Sequence, residues 1–359
     1  MRDGIVTAIG LMSGTSLDGI DAAVIETDGE AAIRTGPSLT LAYEDGFRSR
    51  LRGILGEEHD TPAVRAVEQE LTLLHLRAVE TLRTQHGLTG IDVVGFHGHT
   101  ILHRPEAGRT RQIGNGFQLA RQLGVTVVSD FRSDDVAAGG QGAPFVPAYQ
   151  RALAGRLERP LAVLNLGGVG NVTWLGPDED EVLAFDTGPG NALIDDWALR
   201  HTGRTADFGG ALAARGTIDP ASVARFLAHP FFAARPPKSL DRDDFNRLVP
   251  QHLSAEDGAA TLTRMTAAAV AQALSHLPAP PRRWLVTGGG RHNPVLMAAL
   301  ADELGCPVEP VEQVGWDGDA LESQAFGYLA VRSLRGLPLS YPGTTGVPAP
   351  QTGGRWDRP

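Results

Sequence analysis

The chain has 359 residues, 42% of them hydrophobic, enough for two ordinary cores and awkward for one, so two domains are expected. A formal net charge of −10 leaves no global basic surface to draw in nucleic acid or an anionic membrane, so any anionic ligand has to be met by local groups. The single cysteine, Cys306, excludes an internal disulfide framework and multi-cysteine zinc sites, and no apolar run approaches the roughly twenty residues that span a bilayer.

In chain order, the opening apolar run enters a glycine turn and not a small-residue cleavage site, which makes it a strand and not a signal peptide. With the lone cysteine, this places the protein in the cytoplasm, with no membrane partner and no nucleic-acid partner. Short β-branched or apolar runs at 5–11, 22–26, 93–96, 125–129, 162–166, 182–185 and 284–287 read as buried strands. Helical patterns fall at 67–85, 259–277, 294–304 and 320–334. Alternation of this kind predicts mixed α/β layers. The proline-bearing, charged stretch 230–246 reads as a surface loop or lid, and the Pro/Gly/Thr-rich tail after Gly336 as an irregular wrap or a partly disordered end.

The 44 glycines cluster directly after the apolar runs. The first loop, IGLMSGTSLDGIDAAV, sets Ser13, Gly14, Thr15, Ser16 and Gly19 between two strands. Backbone N–H groups and hydroxyls there suit phosphate oxygens, although a plain tight hairpin has the same signature. It is no Walker A loop, because no GKS or GKT follows and a strand comes next, and it carries no dinucleotide fingerprint. The second loop, NLGGVGNVTWL, follows a strand with Asn165, Gly167 and Gly168. The third, FDTGPGNALIDDW, puts Asp186 at a strand end beside a Gly-Pro-Gly turn, where a carboxylate either activates a nucleophile or caps the turn. The fourth, WLVTGGGRHNPVLM, lines up Gly288, Gly289 and Gly290 before Asn293 and a helix, allowing a flat ring to approach the backbone. Four such loops together favour a nucleotide site.

His97 and His99 in GFHGHT fall on one face of an ideal strand, as a metal would need, but nearby carboxylates are sparse and hydrogen bonding or structural use competes. Arg132 in SDFRSDD suits a bidentate carboxylate or phosphate, unless its acidic neighbours neutralise it. The serine elbow of a hydrolase is missing.

The blocks GLMSGTSLDGID, HGHT, QIGN, DFRSDDVAAGGQGAP, FDTGPGN and ALESQAFGYLAVR run in this order from residue 10 to about residue 332 and resemble the signature blocks of the anhydro-N-acetylmuramic acid kinase family. The resemblance implies a two-domain actin-like, ribonuclease H-like α/β fold with ATP in an interdomain cleft. The domains expected are 1–127 with the tail 336–359, and 128–335. It implies that a 1,6-anhydro sugar is opened by water and phosphorylated on O6 with ATP and Mg²⁺, in peptidoglycan recycling by a homodimer.

Carried over, the nucleotide is met by Ser13, Gly14, Thr15, Ser16, Asp18, Gly19 and Asp21, by Asn165, Gly167 and Gly168, and by Gly288, Gly289, Gly290 and Asn293. Asp186 is the base acting on water, Glu322 a sugar-binding carboxylate, and His97 and Arg132 further substrate contacts; no residue is assigned to a metal. The family block usually reads HGQT, and His99 stands here in place of the glutamine. An ordinary sugar kinase acting on a free hydroxyl, and a non-enzymatic ATP-dependent sensor or filament protein, are the competing readings.

Overall fold

A computed structural model describes residues 4–14, 16–240, 242 and 244–359. They form two compact units, one within 1–156 together with 320–359, the other within 157–319.

The first unit begins with an antiparallel meander of β1 (Val6–Ser13), β2 (Gly19–Thr27) and β3 (Ile33–Ala42). After α1 (Asp45–Arg52) and α2 (Pro62–His86), β4 (Val93–Arg104) runs parallel to β1. Next come β5 (Arg109–Ile113), antiparallel to β4, α3 (Gly116–Leu123), and β6 (Thr126–Ser129), parallel to β4. The helices α4 (Ser133–Ala137) and α5 (Val146–Leu153) follow.

The second unit repeats the plan with β7 (Leu161–Leu166), β8 (Val169–Leu175) and β9 (Val182–Pro189). Then come α6 (Ala192–Thr202), α7 (Pro220–Leu227), α8 (Pro230–Ala233) and α9 (Ala255–Ala273). The parallel strand β10 (Trp284–Thr287), α10 (Pro294–Leu304) and β11 (Val308–Pro310) complete it. The chain then returns to the first unit with α11 (Leu321–Leu334), α12 (Pro342–Thr345) and β12 (Arg355–Asp357), which pairs with β6.

Among the described residues the first sheet is ordered β12-β6-β4-β1-β2-β3 and the second β11-β10-β7-β8-β9. Setting aside β5, a hairpin partner of β4, and the edge strand β12, the first sheet runs β3-β2-β1-β4-β6 and the second β9-β8-β7-β10-β11, so both follow the 3-2-1-4-5 order of a ribonuclease H-like sheet with the second strand antiparallel.

Local chemistry sets the helix ends. Thr61 caps α2 by accepting from the Val64 N–H, Pro62 occupies the first turn, and Gly87 closes the helix in the left-handed conformation. The buried face of α2, including Val64, Leu71, Ala78 and Leu82, packs into one core with Ile9, Leu11, Val94 and Phe96. Each fully buried large side chain of this kind contributes about 1.5–3 kcal/mol.

The opposite face of the same strands carries Gly10 and Gly95, and there α11 comes into backbone contact. A Cβ on Gly10 would lie 1.7 Å from the Ser323 carbonyl oxygen, and one on Gly95 2.0 Å from that of Phe326. In the second unit, β10 is buried along its whole length, as a parallel strand covered on both faces should be.

The partition into units differs from the boundaries read from sequence. Residues 128–156 and 320–335 go with the first unit, because β6 ladders with β4 and α11 packs on β1 and β4. The stretch 230–246 is not simply a loop, since it opens with α8. The tail is irregular as expected, except that α12 and β12 lie within it.

Candidate nucleotide and sugar site

In the first unit the turn between β1 and β2 carries Gly14, Ser16, Asp18 and Gly19; Thr15 lies outside the described residues. The Leu17 N–H donates to the Gly14 carbonyl at 3.2 Å, closing the turn, and Leu17 itself has φ 58°. The Ser16 hydroxyl donates to Asp18 at 2.7 Å, and Thr40 donates to Asp21 at 2.5 Å. Ser13 points inward. It is 1% exposed, and its hydroxyl is shared with Tyr43 at 2.6 Å and His99 Nδ1 at 2.8 Å, so it braces the hairpin and is not turned to a phosphate. Burial, the largest cause, raises the Tyr43 phenol and lowers His99 to about 4.

The two histidines do not share a face. Gly98 between them has φ 70° and a Cβ there would meet the Ile113 carbonyl oxygen at 2.3 Å, so the alternation of β4 breaks at that residue. His99 meets Ser13, whereas His97 packs its ring on Phe326 of α11 at 4.6 Å. A metal held by the pair is therefore excluded. His97 Nδ1–H donates to the Gly98 carbonyl at 2.9 Å, and Nε2 accepts from Arg132 Nε at 3.0 Å and Nη2 at 2.9 Å. Burial and then the Arg132 charge hold His97 well below the usual histidine range, so it serves as a neutral acceptor.

Arg132 gives a third hydrogen bond to the Gly142 carbonyl at 2.6 Å. Burial lowers it to about 10, with Glu322 and Asp135 acting in the opposite direction. Glu322, in the first turn of α11, reaches solvent but is surrounded by protein. Burial first and Asp21 next raise its carboxyl, Arg132 opposes them, and Asp18 adds a smaller rise. His97, Arg132 and Glu322 therefore form one electrostatic group at the start of α11, with the hairpin acids beside it.

In the second unit, strand register aligns four polar residues. Thr287 pairs with Asn165, Asn165 with Asn171, and Asn171 with Asp186. Directly paired residues share a face, so the row ends on the carboxylate. Asp186 is fixed by main chain: its N–H donates to the Lys238 carbonyl at 3.1 Å, and Oδ2 accepts from the Leu240 N–H at 2.9 Å. Burial raises Asp186 to about 7, against the smaller opposing effects of the Leu240 N–H and the Lys238 charge.

Three glycine turns meet beside the end of β7. The carbonyls of Gly167 and Gly168 accept from Asn191 and Gly190 N–H at 2.7 and 2.9 Å, and the Asn191 amide donates to the Leu166 carbonyl at 2.7 Å. Gly288, with φ 75°, and Gly290 lie against Asn165 and Leu166. Asn293 uses its Oδ1 to cap α10, accepting from Val295 and Leu296 N–H groups at 3.1 Å. Sequence reading missed Arg291, which is 7% exposed and ties this turn to Glu312 at 2.8 Å and Asp319 at 2.9 Å. It also missed Asp195, raised to about 6 by burial and then by Asp196. A single Arg in a turn, or a single Asp in the first turn of α6, carries no periodic signal that would have singled either out.

The glycines separate into two kinds. Gly19, Gly190, Gly288 and Gly290 are required by packing, because an added Cβ would fall 2.3–2.6 Å from other protein atoms. Gly14, Gly167, Gly168 and Gly289 are not, because the nearest atom to a Cβ would be 3.6–3.9 Å away and their φ angles are ordinary. Their bare backbone leaves room for something other than protein, which fits a nucleotide cradle.

Two units of ribonuclease H-like strand order, with glycine turns and strand-borne carboxylates, place the chain in the actin-like fold class. The family model described as Anhydro-N-acetylmuramic acid kinase matches residues 6–355. Curated proteins of that name are 59% identical in Paramagnetospirillum magneticum, over 97% of this chain and 98% of theirs, and 57% identical in Rhodospirillum rubrum, over 99% and 95%. A third, from Acidiphilium cryptum, is 58% identical over 98% of each. The chain belongs to the anhydro-N-acetylmuramic acid kinase family.

Proposed function

We propose that the protein uses ATP to convert 1,6-anhydro-N-acetylmuramic acid to N-acetylmuramic acid 6-phosphate, in the recycling of peptidoglycan fragments. The observation that carries this reading is Asp186: a buried strand carboxylate oriented by the Leu240 N–H and raised to about 7, where a general base works best near neutral pH. Asp186 accepts a proton from water as the water oxygen bonds to C1. The C1–O6 bond breaks, and O6 takes the phosphoryl group as the bond to the departing diphosphate opens. One base suffices, because the oxygen expelled from carbon is the nucleophile toward phosphorus.

Gly14, Gly167, Gly168 and Gly289 offer backbone to the phosphates and nucleoside, supported by Ser16, Asp18, Asp21, Asn165 and Asn293. Arg132, held by His97, and Glu322 orient the sugar. We propose that Mg²⁺, an ion that usually takes one or two carboxylates plus phosphate and water, enters with the nucleotide. No helix among the described residues is long and apolar enough to cross a membrane. We further propose a cytoplasmic homodimer, which light scattering tests.

Incubation with ATP, Mg²⁺ and the anhydro sugar in ¹⁸O-water should yield ADP and a 6-phosphosugar labelled at C1. An unlabelled phosphosugar from a free sugar would indicate an ordinary hydroxyl kinase, and no phosphosugar with any substrate would end the kinase reading.

A further inference from the structure

Asp186 is held from outside its own sheet. The residues that bond to it, 238 and 240, belong to the charged stretch that the sequence marked as a lid, and that stretch has its own anchor. Lys238 donates from Nζ to the Phe231 carbonyl at 3.1 Å. Its ammonium also lies 4.5 Å from the Phe231 ring centroid and 5.6 Å from that of Phe185, the residue preceding Asp186. Phe231 in turn packs on Phe232 and Phe245, with ring centroids at 5.6 and 6.0 Å, so the anchor is continuous with the unit's core. A cation over two aromatic faces with a carbonyl acceptor is a fixed arrangement.

We propose that Lys238 is a positioning residue for Asp186: it clamps residues 238–240 on the Phe185 and Phe231 rings and keeps the Leu240 N–H on the carboxylate. This rests on the reading of Asp186 as the base. Burial lowers Lys238 to about 8 while Asp186 acts to raise it, so the two groups influence each other. Among the described residues His276 also lies against this part of β9, meeting Phe185 edge-on at 5.9 Å and bonded through Nε2 to the Phe232 carbonyl at 2.9 Å. Lys238 is the charge that opposes the rise at Asp186.

The variant Lys238→Met keeps the apolar stem and loses both the charge and the donor. Its acid limb in kcat/KM should move up by about one pH unit, giving roughly tenfold less activity below the limb. Lys238→Arg, which keeps the charge and stacks on aromatic rings, should restore the limb toward that of the wild type. A second readout needs no turnover: ¹³C-carboxyl NMR of Asp186, assigned by difference from Asp186→Asn, should show the same upward move in Lys238→Met. An unchanged Asp186 titration in Lys238→Met overturns the inference while leaving wild-type turnover intact. A shifted titration in a protein that does not turn over the sugar instead overturns the kinase reading and keeps the clamp.

Discussion

The β1–β2 and β7–β8 turns are topological equivalents, each joining the first two strands of a 3-2-1-4-5 sheet, but they are built from different chemistry. The first is furnished with side chains: Ser13 is locked to Tyr43 and His99 beneath the turn, while Ser16 and Asp18 stand on it and Asp21 follows on β2. The second is almost bare, and its carbonyls cap the start of α6. The contrast indicates a division of labour. One hairpin supplies hydroxyls and charge, and the other supplies close backbone approach beside a row of polar side chains ending on Asp186. A repeated fold plan thus leaves the chemistry to be set locally at each turn.

The sharpest way to break this comparison is at Asp186, the proposed base. Asp186→Asn should lower kcat by about 10²–10⁴-fold with ATP affinity retained in calorimetry, because removing a general base costs that much. Normal turnover would move the base to another residue. Gly10→Ala should come next, at about 1–3 kcal/mol or more of stability, since the new methyl drives into the α11 backbone. Chemical denaturation measures this, and an unchanged midpoint would mean that α11 does not seat against β1.

A smaller effect concerns pH. The native Asp186 carboxyl is raised to about 7 above its unfolded value, so its contribution to stability is complete in acid and is lost as pH rises toward and through 7. Asp186→Asn should therefore gain a few degrees in Tm over the wild type at pH 8.5 and little at pH 4. Smallest in stability is Gly168→Ala, expected within about 0.5 kcal/mol of wild type because space exists for its Cβ. Its ATP affinity should nonetheless fall, and equal affinity would reassign the bare turn to a purely structural role.

Much of this was legible in the sequence because buried parallel strands announce themselves as continuous apolar runs. Residues 162–166 and 284–287 read as strands and are β7 and β10. Strand β3 was not seen, since it lies at a sheet edge with an almost wholly polar or exposed face and carries a proline. Strand β8 was hidden inside a glycine motif that drew attention as a loop. The site residues stood out through their motifs, but their orientations did not. The expectation that His97 and His99 share a face failed on one left-handed glycine, a property of φ that residue spacing does not report. Lys238 escaped notice because its role depends on rings and a carbonyl brought together only by folding.

The return of residues 320–359 to the first unit has a consequence for biosynthesis. The 157–319 unit is one uninterrupted segment and is able to fold once it leaves the ribosome, whereas the first sheet must wait for the helix bearing Glu322 to be translated. Until then the glycine face of β1 and β4 stays uncovered on the nascent chain, so Glu322 arrives with the same piece that closes the earlier half.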